Sequence, residues 1–156
     1  MKINYKKLIL FIVVTFVVGG LFSFFIPDMK DYYMTLNRPP LSPSGIVFPI
    51  AWSILYFLMA ISLYIVSETK SLDIEKSYLI LYIAQLIVNS LWTLLFFGLK
   101  LRLFSFIWII LLIILVIIMI KNFYDKNKLA GLLQIPYLLW LIFAGYLNLM
   151  IYILNR

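Results

Sequence analysis

The chain has 156 residues, of which 65% are hydrophobic and 12% are charged, and its formal net charge is +7. Soluble domains carry about 25% charged residues, so this composition excludes a protein that has water as its main solvent. The chain contains neither histidine nor cysteine. This excludes disulfides, thiolate chemistry and the usual ligand sets of zinc, non-haem iron and haem, so we predict no metal site.

Five apolar stretches are long enough for membrane-spanning helices, which need about 20 residues because the hydrocarbon layer is about 30 Å thick. These stretches cover residues 8–26, 47–67, 78–99, 103–120 and 129–154. Charged residues fall almost wholly between them, which is typical of loops at the membrane surface. We therefore predict an all-α fold, with residues 1–156 forming a single domain that is a bundle of five transmembrane helices in the cell membrane.

The first stretch, 8–26, follows Lys2, Lys6 and Lys7. A basic start before an apolar run is also the pattern of a secretory signal peptide. The run is long and no small-residue cleavage site follows it, so we expect it to remain as the first span.

Five spans place the two ends of the chain on opposite sides of the membrane, and the basic residues divide unequally between those sides. The side of the amino terminus carries eight, which are Lys2, Lys6, Lys7, Lys70, Lys76, Lys121, Lys126 and Lys128. The other side carries five, which are Lys30, Arg38, Lys100, Arg102 and Arg156. The positive-inside rule then favours a cytoplasmic amino terminus. Because the charge is spread over both sides, we attribute it to contact with anionic membrane lipid and predict no nucleic-acid partner.

The first loop, residues 27–46, is the longest polar connection and is rich in proline. Each proline fixes its own φ near about −65° and pushes the preceding residue towards an extended conformation. We expect an ordered segment, which is either a lid over a ligand site or a stiff interfacial loop without ligand contact.

The second stretch places Trp52 and Tyr56 four residues apart, after Pro49, so both aromatic side chains lie on one helical face. Ser53 adds a small polar side chain beside them. Such a mixture is typical of a mostly apolar pocket with a few orienting groups. The alternative is an aromatic belt at the membrane interface.

The third stretch has a polar and aromatic stripe made of Gln85, Asn89, Trp92 and Phe96, whose spacings of four, three and four place them on one face. An unpaired amide at hydrocarbon depth costs several kcal/mol, so both amides are expected to face the bundle interior. Hydrogen bonding between helices is the alternative to a ligand site.

The fifth stretch repeats this arrangement with Trp140, Ala144, Leu147, Asn148 and Ile151 on one face. Pro136 precedes the stripe, and it either bends the helix or lies in its first turn. The fourth stretch offers only Ser105 and the Trp108 indole as polar groups. We interpret it as a scaffold or lipid-facing helix.

These motifs resemble the tryptophan-rich sensory protein family, also called the translocator protein or peripheral-type benzodiazepine receptor family. The first-loop and second-span part of the pattern is carried by Tyr32, Tyr33, Leu36, Arg38, Pro39, Pro43, Trp52, Leu55 and Tyr56. The third-span part is carried by Gln85, Leu86, Asn89, Trp92, Phe96, Phe97 and Gly98. The fifth-span part is carried by Pro136, Tyr137, Trp140, Leu141, Phe143, Ala144, Leu147 and Asn148. Tyr32, Ser44 and Ser90 depart from the family pattern.

The resemblance implies a homodimeric five-helix receptor or sensor with no resident cofactor, whose intramembrane pocket binds porphyrins such as protoporphyrin IX and benzodiazepine-site ligands. It implies the ligand-binding residues Tyr32, Pro43, Trp52, Tyr56, Gln85, Asn89, Trp92, Phe96, Trp140, Ala144, Leu147 and Asn148. It also implies light-dependent porphyrin degradation, with Trp52 and Trp140 as the indoles that take part.

A transporter or channel for tetrapyrroles or other lipophilic molecules is the alternative function, since the first loop could gate a cavity. No inverted repeat and no charged residue at mid-membrane depth is evident in the sequence. A conventional enzyme is disfavoured, because no histidine, cysteine or intramembrane carboxylate is available as a base or nucleophile. A structural or partner-binding membrane subunit remains a further alternative.

Overall fold

The computed structural model describes residues 3–69 and 77–156, and within these residues all regular secondary structure is helical. The helices are α1 (Tyr5–Gly19), α2 (Leu21–Phe25), α3 (Met29–Thr35), α4 (Val47–Glu68), α5 (Ser77–Thr93), α6 (Arg102–Lys126), α7 (Lys128–Leu132) and α8 (Ile135–Leu154). A π-helical segment, Leu94–Gly98, continues α5. Lys2, Lys70 and Lys76, which entered the charge comparison, lie outside the described residues.

Four helical segments in the described part of the chain are long and apolar enough to cross a membrane. They are Val47–Glu68, Ser77–Gly98, Arg102–Lys126 and Lys128–Leu154. The predicted all-helical membrane bundle is thereby confirmed. The first predicted span, 8–26, is instead divided between α1 and α2 at Gly20.

Two predicted boundaries differ from the observed ones. Helix α6 extends to Lys126, because the polar residues after 120 continue the helix beyond the apolar stretch. The last predicted span, 129–154, is interrupted before α8, and Pro136 lies in the first turn of α8. Proline is tolerated at this position because the amide groups of the first turn have no partner within the helix.

The helices form a closed ring around one core. Helix α1 packs along α4, α4 contacts α7 and α8, α8 packs along α6, α6 packs along α5, and α5 contacts α1. The core contains fully buried side chains from α4, α5, α6 and α8, among them Met59, Leu63, Tyr82, Leu86, Leu112, Phe123 and Leu141. The outer face of α6 exposes Ile107, Ile114 and Ile118, which agrees with the lipid-facing alternative for this helix.

Several polar side chains inside the bundle are paired across helices, although the Ser90 hydroxyl and the Gln134 amide are buried without a partner among residues 3–69 and 77–156. The hydroxyl oxygens of Thr15 and Tyr82 lie 2.6 Å apart, and the Ser62 hydroxyl donates to the Ala130 carbonyl at 2.7 Å. The Tyr137 hydroxyl donates to Oε1 of Gln85 at 2.9 Å. Such bonds satisfy groups that would otherwise be unpaired in an apolar medium and also orient the helices relative to one another.

The connection between α6 and α7 depends on a glycine. A β-carbon placed on Gly131 would lie 2.5 Å from Cβ and 2.7 Å from Cα of Tyr124. Backbone atoms cannot move aside as a flexible side-chain end can, so this crossing requires the absence of a side chain at residue 131.

Candidate functional site

A cavity of about 650 Å³ lies beneath the first loop, between α1, α2, α3, the start of α4 and the end of α5. Its wall includes Trp52 and Tyr56 from α4 together with Trp92 and Phe97 from the α5 end. Phe16 closes the side formed by α1. Aromatic rings therefore contribute much of the wall.

The cavity exists because the first helical segment is broken at Gly20. This residue has φ −92° and ψ 4°, outside the helical region. Helix α1 packs along α4, whereas α2 lies against α5, so a gap opens beside the start of α4. A β-carbon at residue 20 would lie 2.9 Å from the Phe16 carbonyl oxygen, and glycine is therefore the residue that allows this break.

The aromatic wall on α4 is packed in several directions. The rings of Trp52 and Tyr56 are 5.3 Å apart and inclined by 36°, and Phe16 meets Tyr56 edge-on at 5.5 Å. Behind the wall, the ring centres of Trp140 and Tyr137 lie 6.5 Å and 6.1 Å from the ring centre of Trp52. Packing on both sides limits the rotamers of Trp52, so that its ring presents a fixed flat surface to the cavity.

Tyr56 is held by a close approach to α1 and by one hydrogen bond. A β-carbon on Gly19 would lie 2.8 Å from Cε1 and Cζ of the Tyr56 ring, so the ring occupies the space that a side chain would need. Nδ2 of Asn89 donates to the Tyr56 hydroxyl at 3.1 Å. Tyr56 thus connects α1, α4 and α5 at the inner end of the cavity.

Trp92 is fixed by a chain of hydrogen bonds that leads to the end of the bundle. Its Nε1 donates to Oδ1 of Asn148 at 3.0 Å, and Nδ2 of Asn148 donates to the Arg102 carbonyl at 2.7 Å. Arg102 donates from Nη1 to the Tyr32 hydroxyl and from Nη2 to the Asn155 carbonyl, each at 2.9 Å. Helices α3, α5, α6 and α8 are joined through this network.

The first loop is folded onto the end of the bundle. The Asn37 amide donates to Oδ1 of Asn155 at 2.9 Å, and Nδ2 of Asn155 donates to the Asn37 carbonyl at 2.8 Å. The Tyr33 hydroxyl donates to the Pro43 carbonyl at 3.0 Å, and the Arg38 guanidinium lies 4.9 Å from the centre of the Tyr33 ring. The loop therefore covers the cavity and is tied to the carboxyl-terminal end of α8.

A sequence profile described as the TspO/MBR family matches residues 11–154 of this chain. The chain belongs to this family. It is 38% identical over 153 residues to the tryptophan-rich protein TspO of Archaeoglobus fulgidus, covering 97% of this chain and 99% of that protein. It is also 35% identical over 122 residues to the tryptophan-rich sensory protein of Cereibacter sphaeroides, covering 78% of this chain and 74% of that protein. The translocator protein of Bos taurus is 29% identical over 120 residues, covering 75% of this chain and 70% of that protein.

Membership in the TspO/MBR family makes this chain a membrane protein and supports a sensor or translocator role. Of the predicted ligand-binding residues, Trp52, Tyr56 and Trp92 line the cavity. Asn89 and Asn148 lie behind the wall, where they bond to Tyr56 and Trp92.

The other predicted residues lie away from the cavity wall. Trp140 contacts Trp52, and Phe96 stacks on Trp92 at 5.4 Å. Gln85 accepts from Tyr137, Tyr32 accepts from Arg102, and the carbonyl of Pro43 accepts from Tyr33. Ala144 and Leu147 are buried in the bundle.

The π-helical segment explains why Phe97 lines the cavity. The prediction of Phe96 used α-helical spacing, in which residues four apart share a face. From residue 94 onwards the backbone hydrogen bonds join residues five apart, and the Leu99 amide donates to the Leu94 carbonyl at 2.8 Å. The extra residue in this turn shifts the helical register by one position. Trp92 and Phe97, five residues apart, therefore both reach the cavity.

The sequence did not predict that the first helical segment forms part of the cavity wall. Phe16, Phe24 and Gly20 all border the cavity, yet none of them belongs to the polar and aromatic stripes or to the family motifs of the sequence. The adjacent Gly19 and Gly20 within an apolar stretch were the available signal, because paired glycines mark a break or a close approach.

Proposed function

We propose that this protein binds flat, largely apolar ligands in the cavity beneath the first loop, and that tetrapyrroles such as protoporphyrin IX are the main class. The observation that carries this proposal is the aromatic wall of a cavity of about 650 Å³. Binding sites for small molecules commonly measure about 300–1,000 Å³, and aromatic rings in them stack on planar ligands. Benzodiazepine-site ligands are proposed to compete for the same space.

A sensor role follows from where the ligand would lie. The loop that covers the cavity is tied to α8 by Asn37 and Asn155, so a ligand that displaces the loop would also change the exposed end of the bundle. The family names of the relatives, which include a tryptophan-rich sensory protein, are consistent with this role.

Titration of the purified protein with protoporphyrin IX, followed by the porphyrin absorbance near its main band, tests the proposal. We expect Trp52→Leu and Trp92→Leu each to weaken binding about three- to tenfold, from the loss of aromatic stacking. Trp108→Leu is the matched control, because the Trp108 indole donates to the Val88 carbonyl at 2.8 Å and does not line the cavity. Equal weakening by all three variants would contradict the proposed site.

Light-driven degradation of the bound porphyrin is proposed as a consequence of indole contact. The excited porphyrin accepts one electron from Trp52 and passes it to dissolved oxygen, which becomes superoxide and then attacks the macrocycle. Trp140, whose ring centre is 6.5 Å from that of Trp52, returns an electron to the Trp52 radical cation. The Trp140 radical cation that this leaves takes an electron from a soluble one-electron donor such as a thiol.

Illumination in air measures this chemistry directly. We expect slower loss of porphyrin absorbance in the Trp52→Phe, Trp140→Phe double variant than in Trp108→Phe, at equal porphyrin occupancy. An unchanged rate in the double variant would remove the indoles from the reaction, while leaving the binding proposal intact.

Transport of tetrapyrroles or other lipophilic molecules is the second candidate. The bovine relative bears the name translocator protein. Beyond Tyr56, however, the centre of the bundle is filled by the fully buried Met59, Tyr82 and Leu86, so passage would require these side chains to move. Uptake into proteoliposomes separates the two functions, because a binding protein saturates at its own molar amount and a transporter exceeds it.

A further inference from the structure

Lys30 lies at the mouth of the cavity, where the cavity opens to the exterior of the protein. It is in the first turn of α3, it is exposed, and it lines the cavity. A β-carbon placed on Gly45 would lie 3.6 Å from Cγ of Lys30, so the aliphatic part of the side chain packs near the first loop. A long stem on apolar surface with its ammonium at the polar boundary is the usual arrangement of a membrane-protein lysine.

The other basic residues at this end of the bundle are already engaged. The cations of Arg38, Lys100 and Arg156 lie over the rings of Tyr33, Tyr32 and Tyr152 at 4.9, 5.0 and 5.7 Å. Arg102 donates hydrogen bonds to Tyr32 and Asn155. Among the five basic residues of this end, Lys30 alone has no such contact within the described part of the chain.

No carboxylate of the described residues forms an ion pair with Lys30. The ion pair found in residues 3–69 and 77–156 joins Lys7 to Glu68, so the neighbouring Asp28 and Asp31 are more than 4.0 Å from the ammonium. Among the described residues, Lys30 is also the one charged residue in the cavity wall. The rest of the wall is dominated by aromatic and aliphatic side chains, in which a ligand's anionic group would be costly to bury.

We propose that Lys30 pairs with a carboxylate of the bound ligand, so that the site selects flat apolar molecules with an acidic edge and holds that edge at the cavity mouth. The inference rests on the proposed function and adds the ligand's orientation and charge. The apolar body lies against Trp52 and Trp92, and the acidic group stays at the polar boundary.

Binding of protoporphyrin IX and of its uncharged dimethyl ester, measured side by side in nanodiscs of neutral lipid, tests the proposal. We expect Lys30→Met to weaken binding of the acid about fivefold, the upper range for an exposed ion pair, and to leave the ester unchanged. Lys30→Arg should keep the preference for the acid. Lys100→Met is the matched control, since it removes an equal charge at the same end from a residue outside the cavity wall.

Each result decides a different point. Equal weakening of acid and ester by Lys30→Met, or an equal effect of Lys100→Met on the acid, overturns the role of Lys30 while the proposed function stands. Failure of the wild type to bind either compound overturns both. Added salt gives an independent measurement, because it should weaken acid binding more in the wild type than in Lys30→Met.

Discussion

Nε1 of Trp92 and Oδ1 of Asn148 are joined by a hydrogen bond of 3.0 Å, which ties the cavity wall on α5 to the interior of α8. Asn148 is buried and uses its Nδ2 for the Arg102 carbonyl. One amide therefore satisfies an indole donor and a backbone acceptor at the same time. Its position decides how Trp92 is presented to the cavity.

Replacing Asn148 should cost stability. In Asn148→Leu the Trp92 indole loses its acceptor, whereas the Arg102 carbonyl keeps the Ser105 hydroxyl as a donor at 2.9 Å. An unsatisfied buried group costs about 1–3 kcal/mol. We expect a lower thermal midpoint in detergent, read by near-ultraviolet circular dichroism. Asn122→Leu is the control, because Oδ1 of Asn122 is buried without a partner. A midpoint shift as large in Asn122→Leu would contradict the assigned role of the Asn148 bonds.

Gly19→Ala should disturb the cavity rather than the whole bundle. The new methyl group would lie 2.8 Å from the Tyr56 ring, and overpacking of this kind costs about 1–3 kcal/mol. Tyr56 must shift, which strains its bond to Asn89 and changes the ligand surface. We expect weaker porphyrin binding in the absorbance titration.

Gly145→Ala is the matched control for that substitution. Its methyl group would lie 3.6 Å from the nearest atom, Cγ2 of Ile109, which is an ordinary contact, and alanine favours the helix by about 1 kcal/mol. Binding and stability should remain near those of the wild type. If Gly145→Ala lost binding as Gly19→Ala does, close packing against Tyr56 would not be the cause.

Gly131→Ala should destabilise the fold itself. The β-carbon would lie 2.7 Å from Cα of Tyr124, and relief requires α6 and α7 to separate. We expect a loss of more than about 3 kcal/mol, or failure to accumulate as folded protein, because backbone atoms have no alternative rotamer. Size-exclusion chromatography and thermal unfolding measure the effect, and wild-type stability would contradict the close contact between residue 131 and Tyr124.

Asn155→Ala should free the first loop. The reciprocal bonds between Asn37 and Asn155 disappear, so hydrogen exchange over residues 36–43 should become faster and ligand release should accelerate. Asn155→Asp keeps the acceptor for the Asn37 amide and loses only the donor, so an intermediate effect is expected. Unchanged exchange in Asn155→Ala would mean that the prolines alone hold the loop.

The helical stripes of the sequence predicted correctly that Gln85 and Asn89 face the interior, because an unpaired amide in hydrocarbon is too costly. Nε2 of Gln85 is nevertheless buried without a hydrogen-bond partner in the described part of the chain. Asn148, which the sequence placed on one face with Trp140, is buried as well. The hydrogen-bond partners of these amides could not be predicted from helical periodicity. Asn148 pairs with Trp92, 56 residues away, and that pairing depends on how α5, α6 and α8 pack together. Periodicity gives the direction of a side chain and leaves its neighbour undetermined.

Local departures from α-helical geometry account for the remaining differences. The π-helical segment brings Phe97 to the cavity where regular spacing indicated Phe96. The break at Gly20 makes α1 and α2 part of the site. Both are irregularities inside apolar stretches, where the hydrophobic pattern continues unchanged across the interruption.

The gap that α2 leaves beside α4 has a bearing on how ligands arrive. Outward-facing side chains of Val17, Phe24 and Ile46 border the cavity and are 53%, 79% and 65% exposed. The cavity entrance on the lateral surface of the bundle is therefore apolar. A compound dissolved among the acyl chains of the lipid can reach this apolar entrance without passing through water. Occupancy then follows the ligand's mole fraction in the lipid, and diluting the protein with more lipid at constant total ligand should lower it.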